Sequence, residues 1–134
     1  MVQNKSMPPG SVIPEVPYPD VTQGVHWLSQ AFGFKERLRI GGHRVQLTFG
    51  DGSIVATSHE GEIRPRYTLM ARVQDVDAHF ERAKAHGARV LSPPADYPYG
   101  ERQYTVEDLA GHMWTFSQST RDVDPAEWGG ELIL

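Results

Sequence analysis

The chain sets out the same landmarks twice. Ala31-Phe-Gly-Phe34 and Ala85-His-Gly-Ala88 stand 54 residues apart, and Asp20 and Asp75 stand 55 apart. Each Asp precedes a segment with apolar residues at helical spacing, and a glycine closes each segment. Val25, Leu28 and Phe32, with Trp27 and Ala31, form the apolar face of residues 21–32. Val76, Phe80 and Ala83 form that of a helix reaching about His86. A repeat of this length marks two copies of one supersecondary unit that bury their sheets together. Taken alone, it also admits a plain α+β sandwich in which the spacing is coincidence.

The order around each helix is the same: strand, helix, then three strands. In the first copy, residues 11–18 read as a strand that its prolines confine to an edge or irregular position. Residues 35–40 and 43–49 read as a pair joined through Gly41-Gly42, and the Asp51-Gly52 turn leads into a strand at 53–58. Glu36 to Arg39 is the charged edge of a strand. In the second copy, a strand at 66–73 precedes the helix. A short strand at 89–92, a loop at 93–100, a strand at 102–106, a turn at 108–111 and a strand at 113–117 follow. Residues 1–10 form a loose lead-in, and a polar tail carries Trp128. The expected organisation is one domain over 1–134, with βαβββ units at about 11–60 and 66–118 and a tail at 119–134.

Composition narrows the function classes. The absence of cysteine removes disulfides, thiolate nucleophiles and Cys-ligated zinc together. A net charge of −4 offers no basic face for nucleic acid. No run approaches the roughly 18–20 apolar residues that span a bilayer. The N-terminus lacks a basic-then-apolar signal segment, so a cytoplasmic protein without a membrane or nucleic-acid partner is expected. Small-molecule binding, catalysis or self-association remain.

Three stretches carry a family resemblance: Trp27-Leu-Ser-Gln-Ala-Phe-Gly-Phe34, Val73-Gln-Asp-Val-Asp77, and Gly100-Glu-Arg-Gln-Tyr104 with Asp108-Leu-Ala-Gly-His-Met-Trp-Thr-Phe116. In order and spacing, over about residues 11–118, the chain resembles the vicinal oxygen chelate superfamily. That group includes glyoxalase I, bleomycin-resistance proteins and extradiol dioxygenases. The resemblance implies an α+β fold in which two βαβββ units form a curved mixed sheet around a cavity. It also implies a homodimer with a small organic ligand.

Metal-dependent members of that superfamily place His, Gln or Glu on the first and last strands of each unit. Counting from Asp20 and Asp75 reaches Ile13 and Thr68; counting from Gly52 and Gly111 reaches Ala56 and Thr115. These side chains do not replace an imidazole or carboxylate for a divalent ion, so neither metal nor cofactor is expected. A two-residue shift on the first strand brings in Glu15, a single carboxylate. The histidines offer no substitute: His79 and His86 read as a solvated helix face, and His112 as a turn residue or one pointing outward.

Strand alternation then selects the pocket face. Ile13 and Glu15 share it on the first strand, Ile54, Ala56 and Ser58 on the fourth. Thr68, Met70 and Arg72, with Met113, Thr115 and Ser117, share it in the second unit, while Trp114 and Phe116 pack beneath the helix. The candidate ligand-binding residues are therefore Glu15, Ala56, Thr68, Met70, Arg72, Tyr97, Tyr99, Met113 and Thr115, with Tyr97 and Tyr99 placed to close on a flat ligand. Glu15 and Arg72 either pair with each other or meet the ligand. The expected function is metal-independent binding of an aromatic or peptidic small molecule, an antibiotic or a metabolite. The alternatives are a metal-independent lyase or isomerase using Glu15 as general base and Arg72 as charge stabiliser, or a metal-dependent glyoxalase or dioxygenase.

Overall fold

The computed structural model describes residues 3–64 and 67–133. Among them the element order is β1 (Glu15–Tyr18), α1 (Val21–Ala31), β2 (Lys35–Ile40), β3 (Arg44–Phe49), β4 (Gly52–Ser58), β5 (Thr68–Arg72), α2 (Val76–Ala85), β6 (Arg89–Tyr97), β7 (Glu101–Glu107) and β8 (Met113–Ser119). A short 3-10 helix follows at Pro125–Trp128. The chain divides into two units, Met1–Arg64 with Leu109–Gly111, and Pro65–Asp108 with His112–Leu134. Each unit holds one four-stranded mixed sheet, ordered β1-β4-β3-β2 in the first and β5-β8-β7-β6 in the second. The pairs β1/β4 and β5/β8 are parallel, and the others antiparallel. The α+β class and the twice-made βαβββ order are those expected from the repeat.

Matching local chemistry starts and stops both helices. Asp20 Oδ1 accepts the Gln23 amide at 3.0 Å, and Asp75 Oδ1 accepts the Ala78 amide at 3.1 Å. Beyond each helix end, Gly33 at φ 86° and Gly87 at φ 81° turn the chain away. Removing either cap as Asp20→Ala or Asp75→Ala is expected to cost about 1 kcal/mol. For a chain of this size that lowers the melting temperature by about 2–4 °C, read by calorimetry.

Each helix lies on one face of its own sheet. In the first unit, Val16, Tyr18, Leu28, Phe32, Leu47 and Ala56 are fully buried. Gly24 lets the Tyr18 ring approach α1, since a Cβ there would stand 3.0 Å from that ring. In the second, Val76, Ala83, Tyr104, Val106 and Phe116 are fully buried. His79 and Phe80 of α2 meet this core, their rings 4.1 Å from Phe116 and 5.3 Å from Tyr104 respectively.

Several boundaries differ from the sequence reading. β1 starts only at Glu15, so Ile13 lies ahead of the strand. The strand expected from residue 66 runs Thr68–Arg72, and Arg66 itself lies outside the described residues. Phe49 pairs with Gly52, so the hairpin turn is Gly50-Asp51, with Gly50 at φ 58°, rather than Asp51-Gly52. The largest difference is β6, which continues to Tyr97 where a loop from Pro93 was expected. It is an edge strand with a register shift between Ser92 and Ala95. Pro93 and Pro94, which donate no ladder hydrogen bond, sit inside that shift.

Candidate functional site

The second sheet presents a polar, hydrogen-bonded face away from α2. Register sets its membership: Thr68 pairs with Met113, Met70 with Thr115 and Arg72 with Ser117 across the parallel pair. Across the antiparallel pair, Gln103 meets Ser117, Thr105 meets Thr115 and Glu101 meets Ser119. The alternate residues Trp114 and Phe116 turn the other way, onto the helix core.

Side chains on this face are linked in a chain. Arg72 Nη1 donates to Ser119 Oγ at 2.7 Å. Ser117 Oγ donates to Glu101 Oε1 at 2.7 Å and accepts from Gln103 Nε2 at 3.0 Å. Tyr99 completes the line by donating its hydroxyl to Gln103 Oε1 at 3.0 Å. Thr105 and Thr115 share a hydrogen bond of 2.9 Å. Burial pushes the Glu101 carboxyl up, but hydrogen bonds from Ser117 and Ser119 and the nearby Arg72 charge outweigh it and hold it below the usual range. A fixed carboxylate and a guanidinium therefore sit on one sheet face. Burial, with Tyr97 and Glu101 nearby, raises the Tyr99 phenol, keeping it a donor at neutral pH.

Aromatic rings border this network. Tyr97 and Tyr99 are stacked with centroids 5.5 Å apart, and Trp128 lies 5.4 Å from Tyr99. Trp128 thus rests on its own unit. Met70, at 68% exposure, supplies an apolar surface on the same strand as Arg72. The arrangement combines one anion, one cation, several hydroxyl and amide groups and flat apolar rings, the usual means of orienting a small organic molecule.

Of the nine candidate residues, seven belong to this unit. Thr68, Met70, Arg72, Met113 and Thr115 share the face, and Tyr97 and Tyr99 stand at its β6–β7 end. The other two do not fit as expected. Glu15 pairs with Val55, and Val16 with Ala56, so Ala56 lies on the face of Val16 and Tyr18, fully buried beneath α1. Ala56, and with it Ile54, is not a pocket residue. Glu15 does lie on the opposite face, but its carboxylate is ion-paired with Arg44. Glu15 and Arg72 each have a partner within their own unit.

Sequence reasoning missed Glu101, Gln103 and Ser119. The signal is present: Glu101, Gln103 and Thr105 alternate along one strand that begins in the stretch Gly100-Glu-Arg-Gln-Tyr104. Two histidine readings also change. His79 is half-buried, with Nδ1 2.5 Å from the Tyr104 hydroxyl. His112 is fully buried rather than pointing outward. Its turn is fastened by Asp108, whose two oxygens accept from the His112 amide and from Trp114 Nε1, each at 3.0 Å.

The corresponding face of the first sheet is covered. Residues 5–9, expected to be a loose lead-in, lie across it with Pro8 buried. Gln46 Nε2 donates to the Ser6 carbonyl at 2.8 Å, Ser53 Oγ to the Pro9 carbonyl at 2.7 Å, and Arg37 Nη2 to the Lys5 carbonyl at 2.9 Å.

Residues 12–116 match the family model described as the Glyoxalase/Bleomycin resistance protein/Dioxygenase superfamily. An uncharacterized protein, Mb0911c of Mycobacterium bovis, is 36% identical over 96 residues, covering 67% of this chain and 61% of its own length. The chain thus spans less than two thirds of that relative. The crystal structure of TioX from Micromonospora sp. ML1 superposes with a TM-score of 0.71 at 34% identity, covering 82% of this chain and 99% of TioX. A glyoxalase/bleomycin resistance protein from Streptomyces sp. CB03234 superposes with a TM-score of 0.66 at 25% identity, covering 79% and 97%.

Proposed function

Because the chain belongs to the glyoxalase/bleomycin resistance protein/dioxygenase superfamily, we propose that it binds an aromatic or peptidic small molecule, an antibiotic or a metabolite, on the polar face of its second sheet without the help of a metal ion. The observation that carries this reading is the Arg72–Ser119 and Glu101–Ser117–Gln103–Tyr99 hydrogen bonding beside the Tyr97, Tyr99 and Trp128 rings. Planar rings supply contact area at little entropic cost, and the fixed polar groups select orientation. The glyoxalase/bleomycin resistance protein from Streptomyces sp. CB03234 is the named neighbour that leans the reading toward an antibiotic-type ligand.

The donor chemistry supports the metal-free part. Thr115 offers a hydroxyl that already bonds Thr105, and Val55, which β4 presents on the Glu15 face, offers no donor atom. Among the described residues no three His, Asp, Glu or Cys side chains converge as an ion would require. These residues do not fit a divalent cation. A general-base role for Glu15 is not favoured either, since its side chain is 58% exposed and held by Arg44.

The test is equilibrium binding of a panel of aromatic, peptide and glycopeptide antibiotics, with the compound recovered afterwards. Recovery of an unchanged ligand is expected, with affinity unaffected by chelator. Arg72→Met and Glu101→Gln are each expected to weaken binding about 10- to 100-fold, the worth of a hydrogen bond to a charged group. Full affinity in both variants overturns this site. A chemically altered product moves the reading to the enzyme class, and a stoichiometric metal required for binding moves it to the metal-dependent one.

A further inference from the structure

We propose that the ligand of the second sheet carries a zwitterionic amino-acid head, its carboxylate held by Arg72 and its ammonium by Glu101, with an aromatic body lying toward Tyr97 and Tyr99. This rests on the reading of that face as a binding site, and it adds the charge pattern that the ligand must bring.

Two opposite charges are held apart on this face. Elsewhere in the chain arginines close directly on carboxylates, as Arg39 does on Glu36, Arg44 on Glu15 and Arg102 on Asp77 and Asp96. Glu107, at the far end of β7 from Glu101, is likewise paired with Arg89. Among the described residues, Arg72 and Glu101 form no such bridge. Serines stand between them instead. Arg72 Nη1 donates to Ser119 Oγ at 2.7 Å, and Ser119 in turn bonds the Glu101 carboxylate. Ser117, only 4% exposed, donates its hydroxyl to Glu101 Oε1 at 2.7 Å. A direct ion pair on an exposed face is worth little, so these serine bonds suffice to keep the charges separate.

Neither charge is saturated. A guanidinium presents a fork of N–H donors, and Arg72 commits Nη1 to Ser119. A carboxylate has about four lone-pair sites, more than the hydroxyls of Ser117 and Ser119 fill. A ligand with a carboxylate and an ammonium completes both through charge-assisted hydrogen bonds. A ligand with one charge desolvates the other protein charge without matching it. Charges linked through a single hydroxyl suit an α-amino acid, whose two ionic groups share one carbon. The direction of the aromatic body follows from the same line of bonds. Gln103 donates to Ser117 and accepts from Tyr99, so one amide joins the charged end to the stacked tyrosines. Farther along β7, Thr105 bonds Thr115 and brings no charge.

The probes are L-tryptophan and analogues that lack part of its head: tryptamine without the carboxylate, indole-3-propionate without the ammonium, and 3-methylindole without either. NMR titration into the full chain is expected to give tryptophan a Kd of about 1 mM or tighter, ordinary for a ligand of this size. Each analogue is expected to bind at least about tenfold more weakly. Arg72→Met is expected to abolish the preference for tryptophan over tryptamine, and Glu101→Gln the preference over indole-3-propionate. Each variant is expected to keep the other preference, a crossed pattern that general loss of structure does not produce. Equal binding of all the probes, or tighter binding of a singly charged one, overturns the zwitterion and leaves the aromatic-binding reading standing. Binding of an antibiotic from the panel above, with none of these probes bound, also overturns the zwitterion alone. Failure of both the probes and the panel overturns the two together.

Discussion

Phe116→Ala is expected to lower the unfolding free energy by about 3–5 kcal/mol, the range for deleting a buried aromatic side chain. Phe116 has no exposed surface. Its ring lies 4.1 Å from His79, 5.4 Å from Tyr104 and 6.1 Å from Trp114, so truncation opens a cavity bounded by three other rings. Those rings cannot all collapse inward. Trp114 is tied to Asp108 through Nε1 at 3.0 Å, and the Tyr104 hydroxyl to His79 at 2.5 Å. A domain stability of about 5–15 kcal/mol makes the loss a large fraction of the total. Urea unfolding reads it as a lower midpoint at unchanged slope. Phe116→Leu, which keeps most of the volume, is expected to cost under about 1.5 kcal/mol. A loss below about 1 kcal/mol for the alanine variant would show that this ring cluster is not the core of the second unit. The same strand carries Thr115 and Ser117 on its other face, so destabilising β8 also loosens the candidate ligand face.

Legibility in the sequence depends on contrast between the two faces of each strand. In β8, bulky Trp114 and Phe116 alternate with Thr115 and Ser117, so residue size and polarity alone separate the buried face from the open one. In β4, Ile54, Ala56 and Ser58 alternate with Ser53, Val55 and Thr57, and both sides mix apolar residues with hydroxyls, so the contrast is too weak to say which side faces the helix. Only the parallel register of Glu15 with Val55 decides, and register across a crossover leaves no mark in a single sequence. The helices are legible because their signals are local: an Asp cap, a 3.6-residue period and a closing glycine. β6 reads short because Pro93 and Pro94 argue against a strand, and only its edge position makes them tolerable. The segment over the first sheet is invisible for another reason. Its recognised groups are main-chain carbonyls, which every residue has.

Gly100→Ala is expected to destabilise the protein by about 2–4 kcal/mol and to weaken with it the ligand binding proposed for the second sheet. Two costs combine at this position. Gly100 sits at φ 81°, where a side chain costs about 1–2 kcal/mol. A Cβ there would also lie 2.4 Å from the Arg121 carbonyl oxygen and 2.9 Å from Val123 Cγ2. The first of these is backbone, so relief requires moving the chain after β8. That chain is fastened here, because the Gly100 carbonyl accepts from the Thr120 amide at 2.8 Å and from Thr120 Oγ1 at 3.0 Å. Gly111 separates the two costs. It has a comparable φ of 84°, but a Cβ there meets nothing within 4 Å. Gly111→Ala is therefore expected to cost only the conformational part, about 1–2 kcal/mol. Gly100→Ala is expected to exceed it by about 1–2 kcal/mol in urea unfolding and, unlike Gly111→Ala, to displace Tyr99 and Glu101, the residues flanking it in the β6–β7 turn and β7. Equal losses in the two variants would mean that the chain after β8 yields freely.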